Sequence, residues 1–268
     1  FHRTECFGPV LGVMRADGVE DAVALQNQVE FGLTAGLHSL DPAEIGLWLD
    51  RVQAGNVYVN RHITGAIVRR QPFGGWKRSS VGRGAKTGGP HDIFRFARFR
   101  STAPAAGAGD SYRDWWRRQF GIGIDRSGLT AEANVLRYRP VTGVIARIDG
   151  DTSAADVESL RAASAVAGVP LQVSGQPDCE GTVDVVESDA DLAGRLAGAG
   201  AERLRLLAPA GDDLLAAAHD ADVAVDTTVV THHGWIELPC WLREQAISQT
   251  LHRHGRVSAA SPPTPATG

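Results

Sequence analysis

The stretch NVYVNRHITGAIVRRQPFGG, residues 56–75, leads an alternating run into a loop whose glycines enclose apolar side chains. NVYVN has the period-two pattern of a strand. A helix is expected just before it, because Asp41, Pro42 and Glu44 supply a cap, a first-turn proline and a capping carboxylate. Ile45, Trp48, Leu49 and Val52 fall on one stripe of that helix, and Gly55 is expected to end it. Further upstream, Asp17 can cap a helix through Ala22, Val23 and Leu25 that stops near Gly32. A ligand loop at a strand's end is where α/β proteins usually bind small molecules.

From Thr64 to Pro90 the loop carries Gly65, Gly74, Gly75, Gly82, Gly84, Gly88 and Gly89, with Pro72 stiffening the approach to Phe73. Glycines allow positive φ or a close approach to a ligand. A flexible linker would not place Ile67, Val68, Phe73 and Trp76 among them, so the segment reads as a substrate-binding loop.

Beyond residue 100 the composition shifts to Ala, Gly, Pro and charged residues, interrupted by SYRDWWRRQFG, whose aromatics three or four apart predict a short anchoring helix. The last third alternates: strands at 142–148, 171–174, 204–207 and 223–229, with helices at 157–166, 189–197 and 212–218. Such alternation implies a parallel sheet with crossover helices, and no GxGxxG follows its first strand. Pro239 is expected to open a final helix with Leu242, Ala246, Ile247 and Leu251 along one side, and residues 258–268 to be unstructured.

At 268 residues and 43% hydrophobic content the chain can form two compact units, and no apolar run is long enough to cross a bilayer. Three irregularly spaced cysteines argue against a disulfide framework or zinc site. His232, His233, His252 and His254 lack suitably spaced partners, so no metal is expected. The net charge is only −4, yet residues 61–100 hold ten Lys or Arg against the single acid Asp92. That basic run could draw in an anionic ligand, and it carries no nucleic-acid-binding signature, so no nucleic-acid partner is expected.

ECFGPVLGV at residues 5–13, FGLTAGL at 31–37, GNVYVNR at 55–61 and QPFGG at 71–75 resemble, in order, the C-terminal part of the aldehyde dehydrogenase superfamily. TGAIVRRQPFGG followed by KTGGP resembles its L-glutamate γ-semialdehyde (Δ1-pyrroline-5-carboxylate) dehydrogenase branch. SYRDWWRRQFG, DRSGLTAEANVLRYRP and WLREQAIS resemble the extra C-terminal domain of long proline utilization A proteins. The resemblance implies an α/β chain: residues 1–100 as the C-terminal portion of an aldehyde dehydrogenase fold, a linker with an aromatic helix at 101–134, a degenerate Rossmann-like domain at 135–231, and a helix and tail motif at 232–257.

In such enzymes a cysteine thiolate attacks the aldehyde, hydride passes to NAD, and activated water releases the acid. By resemblance Glu5 holds the nicotinamide ribose hydroxyls and Phe7 packs beside the nicotinamide. Gly65 and Ala66 offer backbone amides to the substrate α-carboxylate, and Phe73 walls its aliphatic part; Thr64 could add a hydroxyl. The family's nucleophile and catalytic glutamate lie upstream of the ECFGPV motif, and none of Cys6, Cys179 and Cys240 stands in the nucleophile's context. No catalytic residue is therefore assigned in this chain, which is expected to be a cytoplasmic C-terminal section, inactive alone. Its expected partners are the upstream half of the same polypeptide and further copies in a homo-oligomer, and FAD enters only if a proline dehydrogenase domain lies upstream. Two other readings stay open: an aldehyde dehydrogenase for another substrate, and a noncatalytic assembly or lid module.

Overall fold

A computed structural model describes residues 2–4, 6–100, 107–179, 183–253 and 256–257. In chain order the principal elements are α1 (Val19–Gln26), β1 (Thr34–Leu37), α2 (Pro42–Arg51), β2 (Asn56–Val59), α3 (Ala108–Trp115), β3 (Ile124–Asp125), β4 (Glu132–Pro140), β5 (Val144–Ile148), α4 (Ala154–Ala167), β6 (Leu171–Gly175), β7 (Val185–Val186), α5 (Asp189–Arg195), β8 (Arg203–Leu206), α6 (Asp212–Asp220), β9 (Ala224–Asp226), α7 (Gly234–Glu237) and β10 (Leu242–Thr250). They build two five-stranded sheets, ordered β1-β2-β10-β4-β3 and β9-β8-β5-β6-β7.

The second sheet is parallel throughout. Its order, with β5 central and the chain winding first to one side and then to the other, is that of a doubly wound Rossmann arrangement with five of its six strands. Helices cover both faces. Leu160 and Ala163 of α4 pack with Val144 and Ala146, while Leu192 and Leu214 pack with Ile145 and Leu204 on the opposite side. Local sequence starts and stops these helices: the Ser153 side chain accepts from the Asp156 amide, Ser188 and Asp191 form a reciprocal capping box, and Gly168 ends α4 at φ 66°. The strands and helices expected in this region are all present, with small shifts of boundary.

The first sheet departs from expectation. The predicted helix after Pro239 is instead a short 3-10 turn (Leu238–Trp241) followed by strand β10, which enters the middle of the sheet. It runs parallel to β2, with Ile247 opposite Val57, and antiparallel to β4 along all nine of its residues. β4 itself spans the expected junction between a linker and the Rossmann-like domain, so residues 132–140 belong to the first sheet. The physical reason is two-sided burial: a strand covered on both faces shows no clean alternation, and the spacing of Leu242, Ala246, Ile247 and Leu251 imitates a helical stripe.

One face of the first sheet packs Val57, Val59, Val135 and Ile247 against Val23, Trp48, Leu49 and Val52. The expected stripe of α2 thus faces the core, and the Asp41 carboxylate caps it by accepting from the Ala43 amide. Glu44 acts one step removed: it accepts from the Ser39 hydroxyl, whose oxygen accepts from the Asp41 amide. Two terminus assignments are corrected. α1 begins after Gly18 with no side-chain cap and ends at Gln26, while Asp17 donates its own amide to Asp21. α2 ends at Arg51, and Gly55 serves packing: a Cβ there would lie 2.1 Å from the Gly74 carbonyl oxygen. The aromatic segment is helical as expected, α3 continuing into a π-helical turn at Trp116–Phe120, with Tyr112 and Phe120 buried among Leu160, Leu238 and Trp241. Residues 258–268, expected to be unstructured, lie outside the described residues.

Ile247 is 1% exposed and sits in this core. Replacing it with alanine is expected to cost about 2–5 kcal/mol in denaturant unfolding, as for other buried isoleucines; a cost below about 1 kcal/mol would show that the tail strand is not part of the core.

Candidate functional site

The other face of the first sheet is polar, and the glycine-rich loop lies on it. Because residues alternate along each strand, Asn56 and Tyr58 of β2, Glu244 and Ser248 of β10, and Glu132 and Asn134 of β4 share that face. Each meets the loop. Asn56 accepts from the Gly74 amide at 3.0 Å and donates to the Pro72 carbonyl at 3.0 Å. The Tyr58 hydroxyl donates to the Gly65 carbonyl at 2.7 Å. Glu244 accepts from the Lys86 amide at 2.8 Å and from His91 Nδ1 at 2.7 Å. An irregular loop has few backbone partners of its own, so side chains of the sheet satisfy the buried polar groups.

The expected anchor lies at the loop's first bend. Gly65 has φ +72°, a left-handed conformation that a side chain would strain, and both Gly65 and Ala66 are exposed. Tyr58 holds the Gly65 carbonyl, and the Ile67 amide donates to the Gln71 side-chain oxygen at 2.8 Å. The Gly65 and Ala66 amides have no acceptor among the described residues. Two adjacent N–H groups, open to solvent in a bend pinned on both sides, can receive a carboxylate. The Thr64 hydroxyl is engaged with His62 Nδ1 at 2.8 Å.

Phe73 lies on the far limb of the same loop, partly buried, in an antiparallel bridge with Thr87 whose two hydrogen bonds measure 3.0 and 2.9 Å. Phe7 is 93% exposed and belongs to none of the apolar clusters of the described residues; Glu5 lies outside those residues. The loop thus brings Gly65, Ala66 and Phe73 onto one scaffold, without a contact joining Phe7 to them.

Charge in the loop is largely paired within the chain. Arg61 and Arg70 meet Glu132 at 2.7 and 3.5 Å, Arg78 meets Glu30 and Asp222, and Arg83 meets the Cys240 sulfur at 3.2 Å. Arg61, Arg70 and Arg78 of the basic run are therefore answered by acids elsewhere in the chain. Burial raises the Glu132 carboxyl, but hydrogen bonds from Arg61 and Asn134 and the charges of both arginines outweigh it and hold the group below its usual range. Cys240 is buried, which pushes its thiol up to about 12. It is thus a poor nucleophile.

Sequence reading missed Lys86, fully buried beneath the loop, where its amine donates to Asn56 Oδ1 at 3.0 Å and to the Gly74 carbonyl. A lysine in a glycine-rich loop reads as solvated; only its partner Asn56, which opens the strand, hints otherwise. A crevice beyond β5 and β6 is lined by Asp149, Gly150, Glu158, Arg161 and Cys179, with Asp178 packed over Gly150.

Residues 1–101 match the model described as the aldehyde dehydrogenase family. The bifunctional protein PutA of Rhizobium meliloti is 34% identical over 177 residues, 64% of this chain and 14% of that protein. The 1-pyrroline-5-carboxylate dehydrogenase of Bacillus cytotoxicus is 42% identical over 88 residues, 33% of this chain and 17% of that enzyme. A solved structure of proline utilization A from Corynebacterium freiburgense is similar at 35% identity and a TM-score of 0.74, over 96% of this chain and 27% of that one. The last likeness takes in both sheets. The chain spans only 14 to 27% of the length of these relatives.

Burial brings the Lys86 amine down to about 7, with Glu244 opposing the shift. Between about pH 7 and the ordinary lysine value of 10.5 the unfolded chain binds a proton that the folded chain has shed, so the stability contributed by Lys86 rises with pH across this window. Denaturant unfolding of wild type and Lys86→Met is expected to shift in favour of wild type from pH 7 to 10; a difference that is flat or moves the other way contradicts the assignment.

Proposed function

We propose that this chain forms the C-terminal section of an NAD-dependent L-glutamate γ-semialdehyde dehydrogenase acting in proline catabolism, and that its loop binds the α-carboxylate of the substrate. The observation that carries the reading is the Gly65–Ala66 bend, fixed at the Gly65 carbonyl and the Ile67 amide while the Gly65 and Ala66 amides stay open. The similarity to proteins named for 1-pyrroline-5-carboxylate dehydrogenase and PutA supports it.

In this reading the bend fixes one end of a short, charged aldehyde. Phe73, on the same loop, flanks its methylene groups, and the carbonyl carbon is left at the other end for a thiolate supplied by the rest of the polypeptide. Holding a reactant at one end in this way removes translational and rotational freedom that the chemical step would otherwise cost. Small residues at 65 and 66 are required because any larger side chain would stand between the amides and the carboxylate. NAD supplies the hydride acceptor when bound. Glu5 and Phe7 would hold its nicotinamide ribose and ring, and the almost fully exposed Phe7 ring is free to pack on a flat group.

The test uses the intact gene product with L-glutamate γ-semialdehyde and NAD. Ala66 is exposed, so Ala66→Asp is expected to leave folding within about 0.5 kcal/mol of wild type. The like charge facing the substrate carboxylate is expected to raise KM by at least about tenfold. No oxidation of the semialdehyde by wild type, or an unchanged KM in the variant, contradicts the proposal.

A further inference from the structure

Beneath the open bend lies a polar cluster in which Gln71 ties the loop to both of the strands behind it. Gln71 is 5% exposed. Its Oε1 accepts from the Ile67 amide at 2.8 Å, and its Nε2 donates to Ser248 Oγ at 2.8 Å and Asn134 Oδ1 at 2.9 Å, with Glu132 Oε1 at 3.4 Å. The amide orientation is fixed by chemistry: a backbone N–H can only donate and an ionised carboxylate can only accept. Ser248 also accepts from Arg61 at 2.5 Å and donates to Asn134 at 2.9 Å. It stands directly opposite Asn134 on one side and Tyr58 on the other, at the centre of the sheet.

We propose that Gln71 is the positioning residue of the Gly65–Ala66 bend, translating the placement of β4 and β10 into the placement of the two open amides. This rests on the reading of the bend as a carboxylate site. Only an amide side chain suits the position, because one end must accept while the other donates. A glutamate would set a second carboxylate beside Glu132, and an apolar residue of equal length would leave the Ile67 amide, Asn134 and Ser248 each short of a partner. Tyr58 fixes the bend at its start and Gln71 at its end, so losing Gln71 frees one end of the bend and leaves the other held. The amides then sample orientations in which they no longer converge on one anion. An uncharged aldehyde makes no use of the bend and is insensitive to that loss.

The experiment compares wild type and Gln71→Met in the intact gene product with two aldehydes, L-glutamate γ-semialdehyde and propanal, which has no carboxylate. KM for the semialdehyde is expected to rise about tenfold, with kcat/KM for propanal within about twofold of wild type. Ser248→Ala, which removes one of the Gln71 acceptors, is expected to move KM in the same direction by less. An unchanged KM for the semialdehyde overturns the proposal, and so does an equal loss on both aldehydes, which marks a general folding defect. A second measurement is independent of substrate: hydrogen exchange at the Ile67 amide is expected to quicken at least about tenfold in Gln71→Met, and unchanged protection there overturns the proposal. Wild type that prefers propanal would instead overturn the carboxylate reading, leaving the exchange result to decide the role of Gln71.

Discussion

The strand at residues 242–250 lies between strands 56–59 and 132–140, and everything on the loop side depends on that insertion. Its alternate side chains serve two different surroundings. Ile247 fills the core beneath α2, and Gln245 on the same side accepts from Arg137 at 2.8 Å and donates to the Ala54 carbonyl at 2.9 Å. Glu244 and Ser248 point the other way and hold the loop through Lys86, His91, Gln71 and Arg61. A strand with polar groups buried on both faces is tolerable only when those groups are paired, and the cost of leaving any one unpaired makes the register of this strand specific.

The same insertion joins the two halves of the molecule. Between β4 and β10 the chain makes the whole parallel sheet and then returns, so the Rossmann-like unit is an excursion from the first sheet. Buried arginines seal the junction. Arg203 donates to the carbonyls of Pro239, Leu242 and Arg83, and Arg205 forms a buried pair with Glu237, whose carboxylate also accepts from the Thr231 amide and the Trp241 indole. A guanidinium has five donors in a fixed fork and can serve several carbonyls at once, which suits it to a place where irregular segments cross. The loop that carries Gly65 and Ala66 is therefore set by contacts that come from the far end of the chain.

Much of this was legible in the sequence. The α2 stripe, the NVYVN strand and the alternating last third were readable because each had an apolar period and a cap or glycine to bound it. The loop's glycines surround apolar residues, which is what suggests a binding segment, and the bend at Gly65 has the left-handed φ that such a glycine permits. What hid β10 was its composition: REQAISQT has too many polar residues to read as a buried strand, and its few apolar positions fall at helical spacing. Several of those polar residues are explained by partners more than a hundred residues away in sequence, such as His91 for Glu244 and Gln71 for Ser248. Lys86, Arg137, Arg147 and Arg205 escaped for the same reason, since a charged residue signals solvent until its buried partner is known.

Native-state hydrogen exchange at increasing denaturant, read at single residues, tests this account most directly. If β10 is structural to the first sheet, the amides of Val57, Val59, Ala246 and Ile247 open with one common free energy and merge into the same cooperative transition. If Ala246 and Ile247 exchange through a separate opening of markedly lower free energy while Val57 and Val59 stay protected, the tail strand is an accessory to a sheet that stands without it, and the account is contradicted.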